Sequence, residues 1–236
     1  MQLDFTQREL TLKLVYYGPA LSGKTTNLQS IHRCASAGSR GRLMTLETQD
    51  DRTLFFDLLP IQFRTETGLH LRLKLFTVPG QVIHDATRRL VLQAVDGIAF
   101  VADSRRSQTK PNAESFMNLK RNLRDNGLEI RDVPMVIQFN KRDLPDVRPE
   151  GEIQELARKG REPVTLAIAS RDEGTIETFL GLVRVTYDNL DRTHGFASKF
   201  GMTTDAFLGQ LVRHLGLPPG LTGSLTEEPS PSGRRS

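Results

Sequence analysis

With 236 residues, 37% of them hydrophobic and 25% charged, the chain has room for one full-sized domain and an appendage but not for two large domains. A formal net charge of +4 spread over scattered basic residues, with only 6% aromatics, argues against nucleic acid as a partner, and no apolar run approaches the roughly 18 residues of a membrane span. One cysteine, Cys34, rules out an internal disulfide and fits a reducing cytoplasm, and the five histidines form no metal-ligand pattern.

The opening "MQLDFTQREL" is not a secretory leader, and neither Gln2 nor the terminal "SGRRS" offers a lipidation site. Any membrane attachment is therefore expected to be indirect, without an anchor of the chain's own. The first predicted strand, "TLKLVYY" at 11–17, runs directly into "GPALSGKT" at 18–25, and a helix is predicted from 24 to 36. Next come "DDRTLFFDLLP" (50–60), then "IQFRTET" and the cleanly alternating "HLRLKLFTV" (70–78), which read as a hairpin turning at Gly68 with one antiparallel edge strand. Further strands at 97–103, 133–140 and 163–169 alternate with predicted helices at 84–94, 111–126, 149–159 and 173–188. Strand and helix in alternation predict an α/β fold: a mixed, mostly parallel sheet of six or seven strands with helices on both faces.

The pattern changes after residue 192. We expect a linker at 193–202, an amphipathic helix at 203–216 and a disordered tail at 217–236, beyond a first domain of 1–192. In that helix Phe207, Leu208, Leu211, Val212 and Leu215 make one apolar face, and Thr203 or Thr204 can cap it.

"GPALSGKT" matches G-x-x-x-x-G-K-[ST] at the place its mechanism requires, between a strand and a helix. Gly18 and Gly23 permit the loop geometry in which the amides of Ala20, Leu21, Ser22 and Gly23 turn inward around phosphates. The helix start at Thr25 and Thr26 adds its dipole, Lys24 bridges the β and γ phosphates, and the Thr25 hydroxyl ligates Mg²⁺. "NKRD" at 140–143 decides the base. Asp143 can accept from the N1–H and the exocyclic amine of guanine, where adenine offers neither; the Lys141 stem covers the base, and Asn140 ties this loop to the phosphate loop. GTP or GDP is the expected ligand.

With both motifs in place the chain resembles the Ras-like small GTPases, and more closely the bacterial MglA-type polarity GTPases. The resemblance spans roughly residues 8–190, in "KLVYYGPALSGKTTNLQ", "DDRTLFFDLLP", "TVPGQV", "VDGIAFVADS" and "IQFNKRDLP". It implies a P-loop G domain and a guanine-nucleotide switch acting in cell polarity or gliding motility. It also implies slow hydrolysis, an MglB-like roadblock-domain activating protein as partner, and effectors that read the switch segments. "LAIAS" stands where the family's last base-contacting loop belongs, which implies the Ala169 amide near the guanine O6. "TVPGQ" puts Thr77 where most small GTPases have the metal-side aspartate. Pro79 and Gly80 turn the chain so that the Gly80 N–H can face the γ phosphate, and Gln81 follows as the residue that positions the attacking water. Within "DDRTLFFDLLP", Thr53 is the candidate second Mg²⁺ hydroxyl. Arg52 is the candidate transition-state cation, although without the family it reads as a solvated loop charge. Two alternatives remain at this level: a GTP-binding scaffold that does not hydrolyse, for which Thr77 speaks, and a P-loop ATPase or kinase, against which NKRD speaks.

Overall fold

The computed structural model describes residues 1–4, 6–46, 56–80 and 84–221. Its strands are β1 (Gln2–Asp4), β2 (Glu9–Tyr17), β3 (Met44–Leu46), β4 (Phe56–Arg64), β5 (His70–Thr77), β6 (Gly97–Asp103), β7 (Met135–Asn140) and β8 (Val164–Leu166). Its helices are α1 (Lys24–Cys34), α2 (Asp85–Val91), α3 (Thr109–Asp125), α4 (Glu150–Lys159), α5 (Thr175–His194), α6 (Phe196–Phe200) and α7 (Thr204–Leu215).

The order across the sheet is β3-β4-β5-β2-β6-β7-β8, with β1 added antiparallel to the start of β2. From β5 to β8 the pairing is parallel, while β4 pairs antiparallel with β5. The hairpin closes through Thr65, whose N–H donates to Leu69 O at 2.9 Å. β4 was expected at the sheet edge, but β3 pairs outside it. β1 and β3 have three residues each, too short to leave a periodic signal, and they bring the sheet to eight strands.

Alternation along β2 builds the two cores. Leu10, Leu12, Leu14 and Tyr16 face α1, α5 and α7, whereas Val15 and Tyr17 face α2 and α3. β6, covered on both faces, is buried at all seven residues, which is why its sequence is a continuous apolar run.

Residues 193–202, expected as a linker, instead hold the end of α5 and all of α6. Left-handed glycines, Gly195 and Gly201, turn the chain between the three C-terminal helices. Thr203 caps α7, its hydroxyl accepting from Ala206 N at 3.3 Å, and the apolar face of α7 packs on its own domain. Leu217 and Leu221 also pack against this core, so order continues past the expected start of the tail, whose remainder at 222–236 lies outside the described residues.

Candidate nucleotide site

The loop between β2 and α1 is held in shape by close approach. Gly18 has φ +153°, and a Cβ there would stand 2.2 Å from Val101 O of β6. Gly23, at φ +101°, passes so near Asn140 that a Cβ would meet its side-chain nitrogen at 2.2 Å. Only glycine fits at either point. Ala20 and Leu21 form the outer rim, with Leu21 87% exposed, while Ser22 is buried beneath it.

Lys24 is buried, and its Nζ donates to Gly18 O (3.1 Å) and Pro19 O (2.7 Å). Burial pushes its pKa down to about 7; the Arg88 charge adds to this, Asp57 opposes it, and Lys141 adds a little more. An ammonium so desolvated gains strongly from an anion brought beside it.

Thr25, Thr26, Thr45, Asp57, Thr77 and Gly80 are among the residues lining a cleft of about 420 Å³ under the loop. Thr25 Oγ1 donates to Asp57 Oδ2 at 2.6 Å. Gly80 lies against the loop so closely that a Cβ would come within 2.3 Å of Ala20 Cα. Arg88, 1% exposed on α2, pins this turn: its Nε donates to Pro79 O at 2.8 Å and its Nη2 to Gly80 O. Its Nη1 donates to Asn118 Oδ1 at 2.7 Å, and the guanidinium lies over the Tyr17 ring. Arg52, Thr53 and Gln81 lie outside the described residues.

The base side is built at the carboxyl ends of β6 and β7, where open α/β sheets bind their ligands. Asn140 Nδ2 donates to Ser22 O at 2.9 Å, and Asn140 Oδ1 accepts from Ala169 N at 3.0 Å. One buried amide thus joins the phosphate loop, the NKRD loop and the loop after β8. The Ala169 N–H, expected to face guanine O6, donates to Asn140 Oδ1 in this structure and so ties the loop after β8 to the NKRD loop. Lys141, at φ +65°, places Nζ 2.8 Å from Asp103 Oδ2. Asp103 is also held by Arg105, through Oδ1 at 3.1 Å and Oδ2 at 2.8 Å. Burial works to raise its pKa, but the hydrogen bonds from Arg105 and Lys141 outweigh it and draw it down to about 2. Asp143 has Arg171 at 3.8 Å.

The structure thus gathers the loop residues, Gly80, Asn140, Lys141, Asp143 and Ala169 around one end of the sheet. Three residues there were missed from sequence: Asp57, Arg88 and Asp103. Asp57 was detectable, since it lies in phase with the buried Leu59, Ile61 and Phe63 of β4. Asp103, ending a fully buried strand, was a weaker clue, and "TRRL" gave no hint that Arg88 is buried.

No family model matches the chain. It is 41% identical over 190 residues to the mutual gliding-motility protein MglA of Myxococcus xanthus (strain DK1622), a match that takes in 80% of this chain and 97% of that protein. At that identity and coverage, with the phosphate loop and NKRD joined in one site, the chain belongs to the MglA-type family of Ras-like small GTPases.

Proposed function

We propose that this GTPase is a guanine-nucleotide switch that binds GTP and GDP with Mg²⁺, hydrolyses GTP slowly, and controls cell polarity or motility by binding different partners in its two states. The observation that carries the reading is the Asn140 side chain, hydrogen bonded at once to Ser22 O and Ala169 N. It joins the phosphate loop and the base loop in a single site. Asp143 reads guanine, Lys141 covers the base, Lys24 and the amides from Ala20 to Thr26 hold phosphates, and the Gly80 amide senses the γ phosphate.

Mg²⁺ fits the donor set, because the Thr25 hydroxyl is a hard oxygen ligand backed by a carboxylate at 2.6 Å. Bound there, the ion would supply charge for the β and γ oxygens, with Thr53 as a further hydroxyl ligand. Gln81 orients the attacking water and Arg52 offsets charge in the transition state. An MglB-like roadblock protein is the proposed activator, in keeping with the gliding-motility relative. Among the described residues no helix is long and apolar enough to cross a membrane, and recruitment from the cytoplasm through partners is part of the proposal.

Single-turnover GTP hydrolysis tests it, with wild type beside Gln81→Ala and Arg52→Ala, in Mg²⁺, with and without a roadblock partner. We expect a slow rate that the partner accelerates and both substitutions abolish; for the arginine alone the loss is about a thousand-fold or more. Tight GTP binding with no turnover, even with a validated partner, would replace the switch by a GTP-binding scaffold.

A further inference from the structure

Two carboxamides lie in the core beneath the phosphate loop, Asn27 on α1 and Gln138 on β7, and both are 0% exposed. They pair in both directions: Asn27 Nδ2 donates to Gln138 Oε1 and Gln138 Nε2 to Asn27 Oδ1, each at 2.8 Å. The second hydrogen of each NH2 group also has a partner. Asn27 Nδ2 donates to Gly23 O at 2.9 Å, and Gln138 Nε2 to Thr178 Oγ1 of α5 at 2.8 Å. Thr178 gives its own proton to Gly174 O at 2.7 Å, so toward Gln138 it is an acceptor. The Gly23 carbonyl thus fixes which way the Asn27 amide faces, and Asn27 in turn fixes Gln138. Two apolar side chains of the same shape would fill this space with no polar group to satisfy, so stability alone does not call for the pair.

What the pair reaches is the end of the phosphate loop. Gly23 O accepts twice from Asn27, from its N–H at 2.9 Å and from its side chain. Two residues along the same buried face of β7, Asn140 Nδ2 donates to the preceding carbonyl, Ser22 O, at 2.9 Å. In a trans peptide unit the C=O and the next residue's N–H point in opposite directions. A carbonyl tied down into the core therefore aims the N–H of its own peptide unit the other way, toward the start of α1 where phosphates bind. Ser22 O sets the Gly23 N–H in this manner, and Gly23 O sets the Lys24 N–H. Hydrogen bonds to a carbonyl also polarise its amide, which strengthens the N–H as a donor to an anion.

We infer that Asn27 and Gln138 are positioning residues for the phosphate-binding amide of Lys24, acting through Gly23 O beside Asn140, so that β7 sets the phosphate loop at two successive peptide units. The inference rests on the nucleotide reading above. It also divides the work of β7: residues beyond its carboxyl end meet the base, while the amides at 138 and 140 on its buried face hold the loop that meets the phosphates.

The test uses the full chain and reads two things: release of a fluorescent GDP analogue, and the phosphorus NMR resonance of the β phosphate of bound GDP. Gln138→Met leaves the Asn27 amide half paired, whereas Asn27→Leu with Gln138→Met removes both amides and keeps their shapes. Without nucleotide, the single variant should melt lower than wild type, and the double should recover most of that loss because neither amide is left unpaired. The double should nevertheless release GDP about 2- to 10-fold faster than wild type, the range for one lost hydrogen bond, with its β-phosphate resonance displaced. A double variant with wild-type release overturns the inference and makes the pair plain core packing, as does faster release with an unmoved resonance. So does a double variant that melts no higher than the single one or does not fold, since the pair would then be holding the fold rather than the loop. If wild type binds no GDP, the nucleotide reading itself fails, before any variant is compared.

Discussion

The cleft under the phosphate loop and the seat of α7 lie on the same face of the sheet and share a strand, yet they are made of opposite materials. β4 carries Asp57 at one end, among three hydroxyls, and Phe63 at the other, against Phe207 and His214 of α7. At the rise of a strand the two ends are roughly 20 Å apart. Around α7 the contacts are apolar: Tyr187 stacks on Phe207 with ring centroids 4.4 Å apart, and Phe207, Leu208, Leu211 and Leu215 are fully buried. At the cleft Lys24, Asp57 and Thr77 are buried beside Val78 and Pro79, so charged and hydroxyl groups sit within the packed floor. Apolar burial favours stability without fixing direction, whereas buried polar groups cost free energy unless each finds its partner, and so they fix geometry. The α7 seat therefore anchors β4, and the cleft end of the strand is the end built to respond to a ligand.

The comparison breaks first, if it breaks, at Phe207. Phe207→Ala removes a fully buried ring from the seat and should lower global stability by about 3–5 kcal/mol, seen as a lower melting temperature. GDP release from the protein that remains folded should not change. Faster release would mean that β4 carries strain from one end to the other, and that the two regions are not separable. Asn140→Ala probes the opposite region. It leaves Ser22 O and Ala169 N without their partner, at about 1–3 kcal/mol for each buried group left unpaired, and this should appear mainly as weaker GDP and GTP binding by calorimetry. A drop in melting temperature of the nucleotide-free protein as large as that of Phe207→Ala, with affinity kept, would make Asn140 an ordinary core residue.

The two regions also differ in how far they could be read from the chain. The α7 helix declared itself through apolar residues at helical spacing, and β6 through seven apolar residues in a row, because burial repeats with the period of the element. The phosphate loop and NKRD were legible for another reason: phosphate and guanine each demand particular residue types at short spacing. The network between them was not. Arg88 sits in a helix whose "TRRL" reads as an exposed basic face, and its burial is decided by Pro79, Asn118 and Tyr17, which come from elsewhere in the chain. The contact of the Ala169 N–H with Asn140 is a further case, since it joins two loops that only the fold brings together. Asp57 is legible only through alternation: "LFFDLLP" invites an apolar reading, but its place in phase with Leu59, Ile61 and Phe63 puts its carboxylate on the buried face. Short-range chemistry and periodicity are visible along a chain; partners brought together by topology are not.

Acid gives the finest comparison. Asp103 has its pKa drawn from 3.8 to about 2 in the folded protein, chiefly by Arg105 and Lys141 working against burial. A carboxyl whose folded pKa is depressed binds fewer protons folded than unfolded, so it stabilises fully above the unfolded value and loses that contribution as pH falls from about 4 through 2. The α7 seat holds no such group. Its ion pairs, Arg213 with Glu66 and Arg184 with Asp205, have carboxylates 74% and 78% exposed and so contribute little. Urea unfolding at pH 5 and pH 3 should therefore show wild type losing on the order of 1 kcal/mol more than Asp103→Asn, the figure being discounted because Arg105 reaches solvent. In the folded protein Asp103 keeps its charge at pH 3, so its contact with Lys141 should persist there and loosen only as the pH falls through about 2. If Asp103→Asn loses as much on acidification as wild type, the pH response comes from elsewhere, and Asp103 is only one surface charge among several rather than the anchor of the base-side loop.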